Sequence, residues 1–162
     1  MGEIRTLEHI LEKIRGKRVY FDTAVLIYAL EGNSIYVNRA VPFVEASENR
    51  ECIGFTGVAT LTEMLVGAIR KGNTNYAEQL KAMFKSGDLL QCVSHNDEVF
   101  IASASLRATS NLKAIDALHF STALALGCQF FLTNDASFKS TQTMEVIRLT
   151  DIEPTPRIAN KN

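Results

Sequence analysis

Two apolar periods alternate along the chain and lay out its elements. Leu7, Ile10, Leu11 and Ile14 recur at helical spacing, with Thr6 placed to cap the first turn and Gly16 to end the last. The β-rich run Val19–Asp22 follows, and Ala24–Leu30 continues as a buried helix closed by Gly32. A further helix, capped by Asn33 or Ser34, runs through Pro42 to about Ser47. Residues 52–56 (CIGFT) read as a second strand, and helices over Val58–Arg70 and Tyr76–Lys85 end at Lys71-Gly72 and at Gly87. A third strand is predicted over 89–93, and helices from about Asp97 to Ala108 and from Ile115 to Leu126. Strands over 129–133 (QFFLT) and 145–149 (EVIRL) complete the pattern.

Strands alternating with helices predict an α/β fold, a three-layer α/β/α domain whose mostly parallel five-stranded sheet is covered on both faces. Residues 1–162 read as one domain, with 1–18 as an N-terminal helical extension and 150–162 as an irregular tail that holds two of the three prolines. No internal repeat or linker interrupts the pattern.

Composition narrows the class. With 162 residues, 46% hydrophobic and 22% charged, the chain matches an ordinary globular domain that needs neither disulfide nor structural metal to fold. Cys52, Cys92 and Cys128 are odd in number, far apart and without a C-x-x-C pair, which argues against a disulfide framework or zinc ribbon and for a reducing, cytoplasmic setting. The start of the chain lacks the apolar core of a signal peptide, and the longest apolar run, Val19–Leu30, is broken by Asp22 and too short to span a membrane.

The candidate chemistry lies in acids at unusual places. In a parallel sheet, functional groups gather at the carboxyl ends of the strands. Asp22 closes one strand as the only charge between Val19 and Leu30, and Asp135 follows another by one residue. A carboxylate in apolar surroundings needs a donor, a cation or a metal; the plain alternative for both is capping of a following helix. Asp116 opens a helix that is apolar nearly all round. Glu63 lies opposite the stripe of Val58, Leu61, Leu65 and Ala68, the position of a surface glutamate, although Ala59, Val66 and Gly67 leave room for a second packed face. Four carboxylates from four segments meeting at one sheet edge would repel unless they bound cations. An all-oxygen set suits Mg²⁺ or Mn²⁺, and the chemistry such sites serve is phosphodiester hydrolysis.

The segments FDTAVLIYAL, TLTEMLVGAIRKG and IDALHFSTALALGCQFFLTNDASF, in this order and spacing, resemble the acidic motifs of PIN-domain nucleases, especially VapC-like toxins. The resemblance covers about Val19 to Leu149. It implies that Asp22, Glu63, Asp116 and Asp135 are the catalytic, metal-binding acids, that Thr23 and Thr133 orient carboxylates or water, and that Asn134 contributes polar contacts. It further implies an endoribonuclease dependent on Mg²⁺ or Mn²⁺, a homodimer, and a cognate antitoxin that neutralises it. Two features depart from the pattern: Ala24 stands where the family often has Asn or Ser, and Ala136 and Ser137 stand where a fifth acid could follow.

Arg70, Lys71 and Lys113, with Arg107 and Lys139, are candidate contacts to RNA phosphates, against the plain alternative of solvated helix-end charges. His119 shares a helix face with Asp116, where it either packs or donates to a carboxylate or phosphate; His9 and His95 have no partner constellation in the sequence. Two other functions compete with the nuclease. A catalytically silent module binding RNA or protein fits Ala24 and the missing fifth acid, and a phosphotransfer domain fits an aspartate after a strand but lacks the accompanying acids. The 17 basic against 18 acidic side chains give a net charge of −1, without the excess of a nucleic-acid binder. Setting the four acids aside leaves 17 against 14, or +3, so an RNA strand would meet a cationic scaffold around a metal-loaded centre.

Overall fold

The computed structural model describes residues 5–32 and 34–153, so the alternative cap Asn33 and the tail from 154 onward lie outside the described residues. In chain order the elements are α1 (Leu7–Ile14), β1 (Arg18–Phe21), α2 (Thr23–Glu31), α3 (Val37–Glu48), β2 (Ile53–Gly57), α4 (Val58–Arg70) and α5 (Thr74–Ser86). They continue with β3 (Gln91–Val93), α6 (Asp97–Ala108), α7 (Ala114–Ala125), β4 (Phe130–Thr133), β5 (Glu145–Arg148) and a 3₁₀ turn over Leu149–Asp151.

The five strands form one sheet in the order β3-β2-β1-β4-β5, and every neighbouring pair is parallel. Alternation along β1 and β4 splits the interior in two. Val19, Phe21, Phe130 and Leu132 face a core built with Ile10, Leu26, Phe43, Met64 and Leu80 from α1 to α5. Tyr20 and Phe131 face the opposite core, with Phe55 and with Ala117, Phe120 and Ala123 of α7. The fold is the three-layer α/β/α arrangement that the alternation predicts. Each fully buried Leu, Ile or Phe in these layers contributes about 1.5–3 kcal/mol of burial.

The path of the chain creates the site. From β1 it crosses outward to β2 and β3, then returns through α6 and α7 to β4 on the other side of β1. The order therefore reverses between β1 and β4, and a crevice opens beyond their carboxyl ends. No helix among the described residues is long and apolar enough to cross a membrane.

Most differences from the sequence reading are at element ends. Ser34 does not cap α3; its hydroxyl accepts from the Tyr36 N–H at 3.1 Å and shapes the turn before the helix. The third strand shrinks to 91–93 because Leu89 offers its carbonyl to the Ser47 hydroxyl (2.7 Å) instead of a ladder. α5 starts at Thr74 because the Asn73 side chain accepts from the Tyr76 N–H. Helix α1, capped by Thr6, buries Leu7, Ile10 and Ile14 in the first core, and Arg5 bridges Ile152, so this segment is a packed part of the fold.

Candidate active site at the strand-order reversal

Asp22 stands where β1 becomes α2. Its N–H extends the ladder to the Leu132 carbonyl of β4 (2.9 Å), and the chain then turns into the helix. The side chain caps α2, with Oδ1 accepting from the Thr23 N–H at 2.9 Å. Oδ2 accepts from the hydroxyl of Thr133, the last residue of β4, at 2.7 Å. Asp22 is 7% exposed, and burial pushes its pKa up against the opposing effect of the Thr133 bond. Capping and a functional carboxylate are thus not alternatives at this position, because one oxygen serves each neighbour.

Asp116, in the first turn of α7, is partly buried, and its pKa is raised by burial and then by Asp135 and Glu63. Asp116 in turn raises the pKa of Asp22, so the acids from β1, α4, α7 and the β4 end share one electrostatic field. Asp135 caps no helix, since the chain between β4 and β5 forms none; its carboxylate accepts from the Ser137 N–H at 2.8 Å in a tight turn, which lowers its pKa. Lys113, just ahead of α7, lowers the pKa of both Asp116 and Asp135.

Glu63 reaches this edge from the second turn of α4. The buried stripe of the helix is Thr60, Met64 and Ala68, while Val58, placed in the stripe by the sequence, is the first residue of the helix and is 41% exposed. Glu63 flanks that stripe, and its carboxylate accepts from the Thr23 hydroxyl. Thr23 also meets Thr60 at 2.9 Å, and Thr60 meets Thr56 at 2.9 Å, so a buried ladder of hydroxyls runs from the end of β2 to Glu63. The nearby His119 imidazole holds the Glu63 pKa down, with Oε2 3.8 Å from Nε2.

A sequence profile of the PIN domain matches residues 19–143. The chain belongs to the PIN-domain family. Solved structures similar to it include a toxin–antitoxin complex from Klebsiella pneumoniae (22% identity, TM-score 0.61, covering 81% of this chain and 97% of that one). Another is VapBC2 from Rickettsia felis bound to a fragment of its promoter DNA (15% identity, TM-score 0.60, 81% and 98% covered). A third is VapC20 from Mycobacterium tuberculosis, a toxin that cleaves the sarcin–ricin loop (12% identity, TM-score 0.57, 75% and 90% covered). Comparison with curated protein sequences gave no significant match.

In this PIN domain the other sequence candidates separate. Asn134 turns away from the acids, its side-chain oxygen accepting from the Thr150 N–H at 3.0 Å. Arg70 and Lys71 sit at the far end of α4, roughly 10 Å along the helix axis from Glu63, and Lys71 lines a separate groove of about 260 Å³ with Leu30, Glu31 and Tyr76. Ala24 and the Ala136-Ser137 pair add no acid. Among the described residues no three acidic, His or Cys side chains form a ready metal cage. The four acids offer only oxygen ligands, and among the described residues Asp22 has hydrogen-bond donors but no ion-pair partner, a set whose chemistry fits a hard divalent ion.

His95 has no partner constellation in the sequence, and the structure gives it two hydrogen-bond partners. From the loop after β3, its Nδ1 meets the Thr122 hydroxyl at 2.8 Å, and Thr122 donates to the Leu118 carbonyl, so Nδ1 carries the hydrogen. Nε2 then accepts from the Ala59 N–H (3.2 Å), capping α4, whose own Gly57 offers no side chain. A Cβ on Gly57 would stand 2.2 Å from the His95 ring, so only glycine admits this contact. The one sequence signal was an uncapped helix start beginning Gly57-Val58.

Proposed function

We propose that this PIN domain is an endoribonuclease dependent on Mg²⁺ or Mn²⁺ and the toxin of a toxin–antitoxin pair. The observation that carries the reading is the buried Asp22 carboxylate at the strand-order reversal, clasped by Thr133 and sharing its field with Asp116, which in turn feels Glu63 and Asp135. In this proposal Asp22, Asp116, Glu63 and Asp135 are the residues that would hold the ion. A divalent ion held by these acids would supply a water of lowered pKa and positive charge to offset the phosphate. Thr133 and Thr23 fix the orientation of the Asp22 and Glu63 oxygens, and Lys113 draws the RNA phosphates toward the acids. No covalent nucleophile takes part.

The structural relatives in complexes support an antitoxin as partner. A homodimer is proposed as well, for which the exposed Ile69, Phe100 and Ile101 (69%, 55% and 70% exposed) offer apolar surface. The cytoplasm is the proposed compartment, in keeping with three free cysteines, of which Cys52 and Cys128 are buried with thiol pKa values pushed up to about 11 and about 12.

The test is cleavage of single-stranded RNA with Mg²⁺ or Mn²⁺, with chelator, and by Asp22→Asn and Asp116→Asn proteins shown to be folded. Cleavage that survives chelation or both substitutions sinks the proposal. A second reading, a module that binds RNA or protein without turnover, is favoured by the lack of a preformed cage among the described residues. Tight metal-independent RNA binding by a protein that never cleaves would establish it instead.

A further inference from the structure

His119 is wholly buried, yet both of its nitrogens face polar atoms from other elements. Nδ1 lies 2.7 Å from the Tyr20 hydroxyl on β1. On the far side of the ring, Nε2 faces the Thr23 hydroxyl of α2 at 3.5 Å and Glu63 Oε2 of α4 at 3.8 Å. The His95 ring stands edge-on to it at 5.7 Å, and the Tyr20 ring at 5.8 Å. Four elements therefore meet at one imidazole.

The partners decide its tautomer. A tyrosine phenol keeps its hydrogen at neutral pH. Among the described residues His119 Nδ1 is the one hydrogen-bond partner of that phenol, so the Tyr20 hydroxyl donates to it. Nδ1 is then the acceptor and the hydrogen resides on Nε2, facing the Thr23–Glu63 pair. Thr23 gives its single hydrogen to Glu63, so its oxygen is free to accept. The line Tyr20 O–H, His119 Nε2–H ends at the Thr23–Glu63 pair, and both donors along it face an acceptor. A leucine at 119 would fill a comparable volume of the core; the polar line is what a histidine adds.

We propose that His119 is a positioning residue for Glu63: with its tautomer set by Tyr20, it presents Nε2–H to Thr23 and Glu63 and holds the glutamate carboxylate at the mouth of the crevice. It acts through Glu63 and touches no substrate. The magnitude follows other outer partners of metal-binding side chains, whose loss costs about 10–100-fold in affinity or activity.

The proposal rests on the ribonuclease reading for its kinetic arm only; its structural arm is independent. Nitrogen NMR of the imidazole in the wild-type protein reads the tautomer directly, and Nε2–H is expected; Nδ1–H overturns the proposal whether or not the protein cleaves RNA. In cleavage assays, His119→Leu is expected to lower kcat about 10–100-fold with KM within about twofold. His119→Gln, whose amide nitrogen reaches the Nε2 position, restores most of the loss, whereas His119→Asn, whose amide stops at Nδ1, does not. Equal activity of the Gln and Asn proteins overturns the proposal, as does full kcat in a folded His119→Leu protein. Tyr20→Phe supplies a check within an intact His119: a mixed tautomer with reduced kcat supports the line, and an unchanged tautomer breaks it. A wild-type protein with Nε2–H but no cleavage would indict the ribonuclease reading and leave the positioning geometry standing.

Discussion

Thr133 ends β4 with its hydroxyl 2.7 Å from Oδ2 of Asp22, which ends β1, so one bond fixes a buried carboxylate and clasps the two strands that flank the reversal. Hydrogen bonds to charged groups contribute about 1.5–3 kcal/mol, and leaving the acceptor buried without its donor forfeits that amount. Thr133→Val, which keeps shape and removes the donor, is therefore expected to cost about 2 kcal/mol, or roughly 4–8 °C in Tm, and to lower cleavage. Thr133→Ser should retain both. Thermal melts of the two proteins check it, and a Val protein as stable as wild type would show that the clasp contributes nothing.

Asp22 itself works against stability. Burial holds its pKa above the ordinary carboxylate value, so the folded chain binds this proton more tightly than the unfolded chain. Stability then falls as pH rises from the ordinary carboxylate value through the raised one, and once ionised the buried group is a cost. Asp22→Asn keeps the α2 cap and removes the charge. Without divalent metal it is expected to melt at or above the wild-type temperature, by up to roughly 4 °C. Millimolar Mg²⁺ should raise the wild-type Tm by ligand linkage and leave the variant unmoved. Calorimetry with and without the ion decides between this and a purely architectural aspartate, for which the variant is less stable and neither protein responds.

How much of this was legible in the chain depended on whether a residue's neighbours are near in sequence. Helix ends with a glycine in the left-handed region, such as Gly32 and Gly127 (φ 67° and 66°), announce themselves, and so do apolar strands and the lone charge of Asp22. Asp116 and Asp135 stand out by the same contrast with apolar surroundings. Glu63 does not, because a helical wheel ranks positions by apolarity and the stripe that packs here, Thr60-Met64-Ala68, begins with a hydroxyl whose role is to reach Thr23. The Tyr20–His119 bond joins residues 99 positions apart, and no local period records it. Asn134 misleads for the converse reason: it adjoins Thr133 in sequence, but the chain bends and sends it to Thr150.

His95 gives the start of α4 a pH dependence. Burial, reinforced by the facing His119, lowers its pKa, so the folded chain favours the neutral ring, as its acceptor role toward the Ala59 N–H requires. The unfolded chain takes up this proton first as pH falls below the ordinary histidine value. Stability contributed by the neutral ring is therefore present above about pH 6.5 and lost on acidification through the lowered folded value. Hydrogen exchange of the Ala59 amide is expected to quicken on going from about pH 7 to pH 5 beyond the intrinsic pH effect. In His95→Gln, which cannot protonate, that excess should vanish; an excess of equal size in both proteins would rule His95 out as its source.

The two ends of α4 and α7 should contribute differently to RNA binding. Lys113 is close enough to Asp116 and Asp135 to lower the pKa of both, whereas Lys71 lines a groove with Leu30, Glu31 and Tyr76 at the opposite end of the helix that carries Glu63. On the proposed function a phosphate drawn toward the acids meets Lys113 first, and each cation that neutralises a phosphate of a single strand adds about 0.7 to the slope of log affinity against log salt. Measured in an Asp116→Asn background so that the RNA stays intact, Lys113→Ala is expected to weaken binding of a single-stranded oligonucleotide and flatten that slope by about 0.7. Lys71→Ala should leave slope and affinity as they were. Equal losses from the two substitutions would mean that the strand runs the length of α4, and that the +3 charge remaining outside the four acids attracts RNA diffusely and not through Lys113.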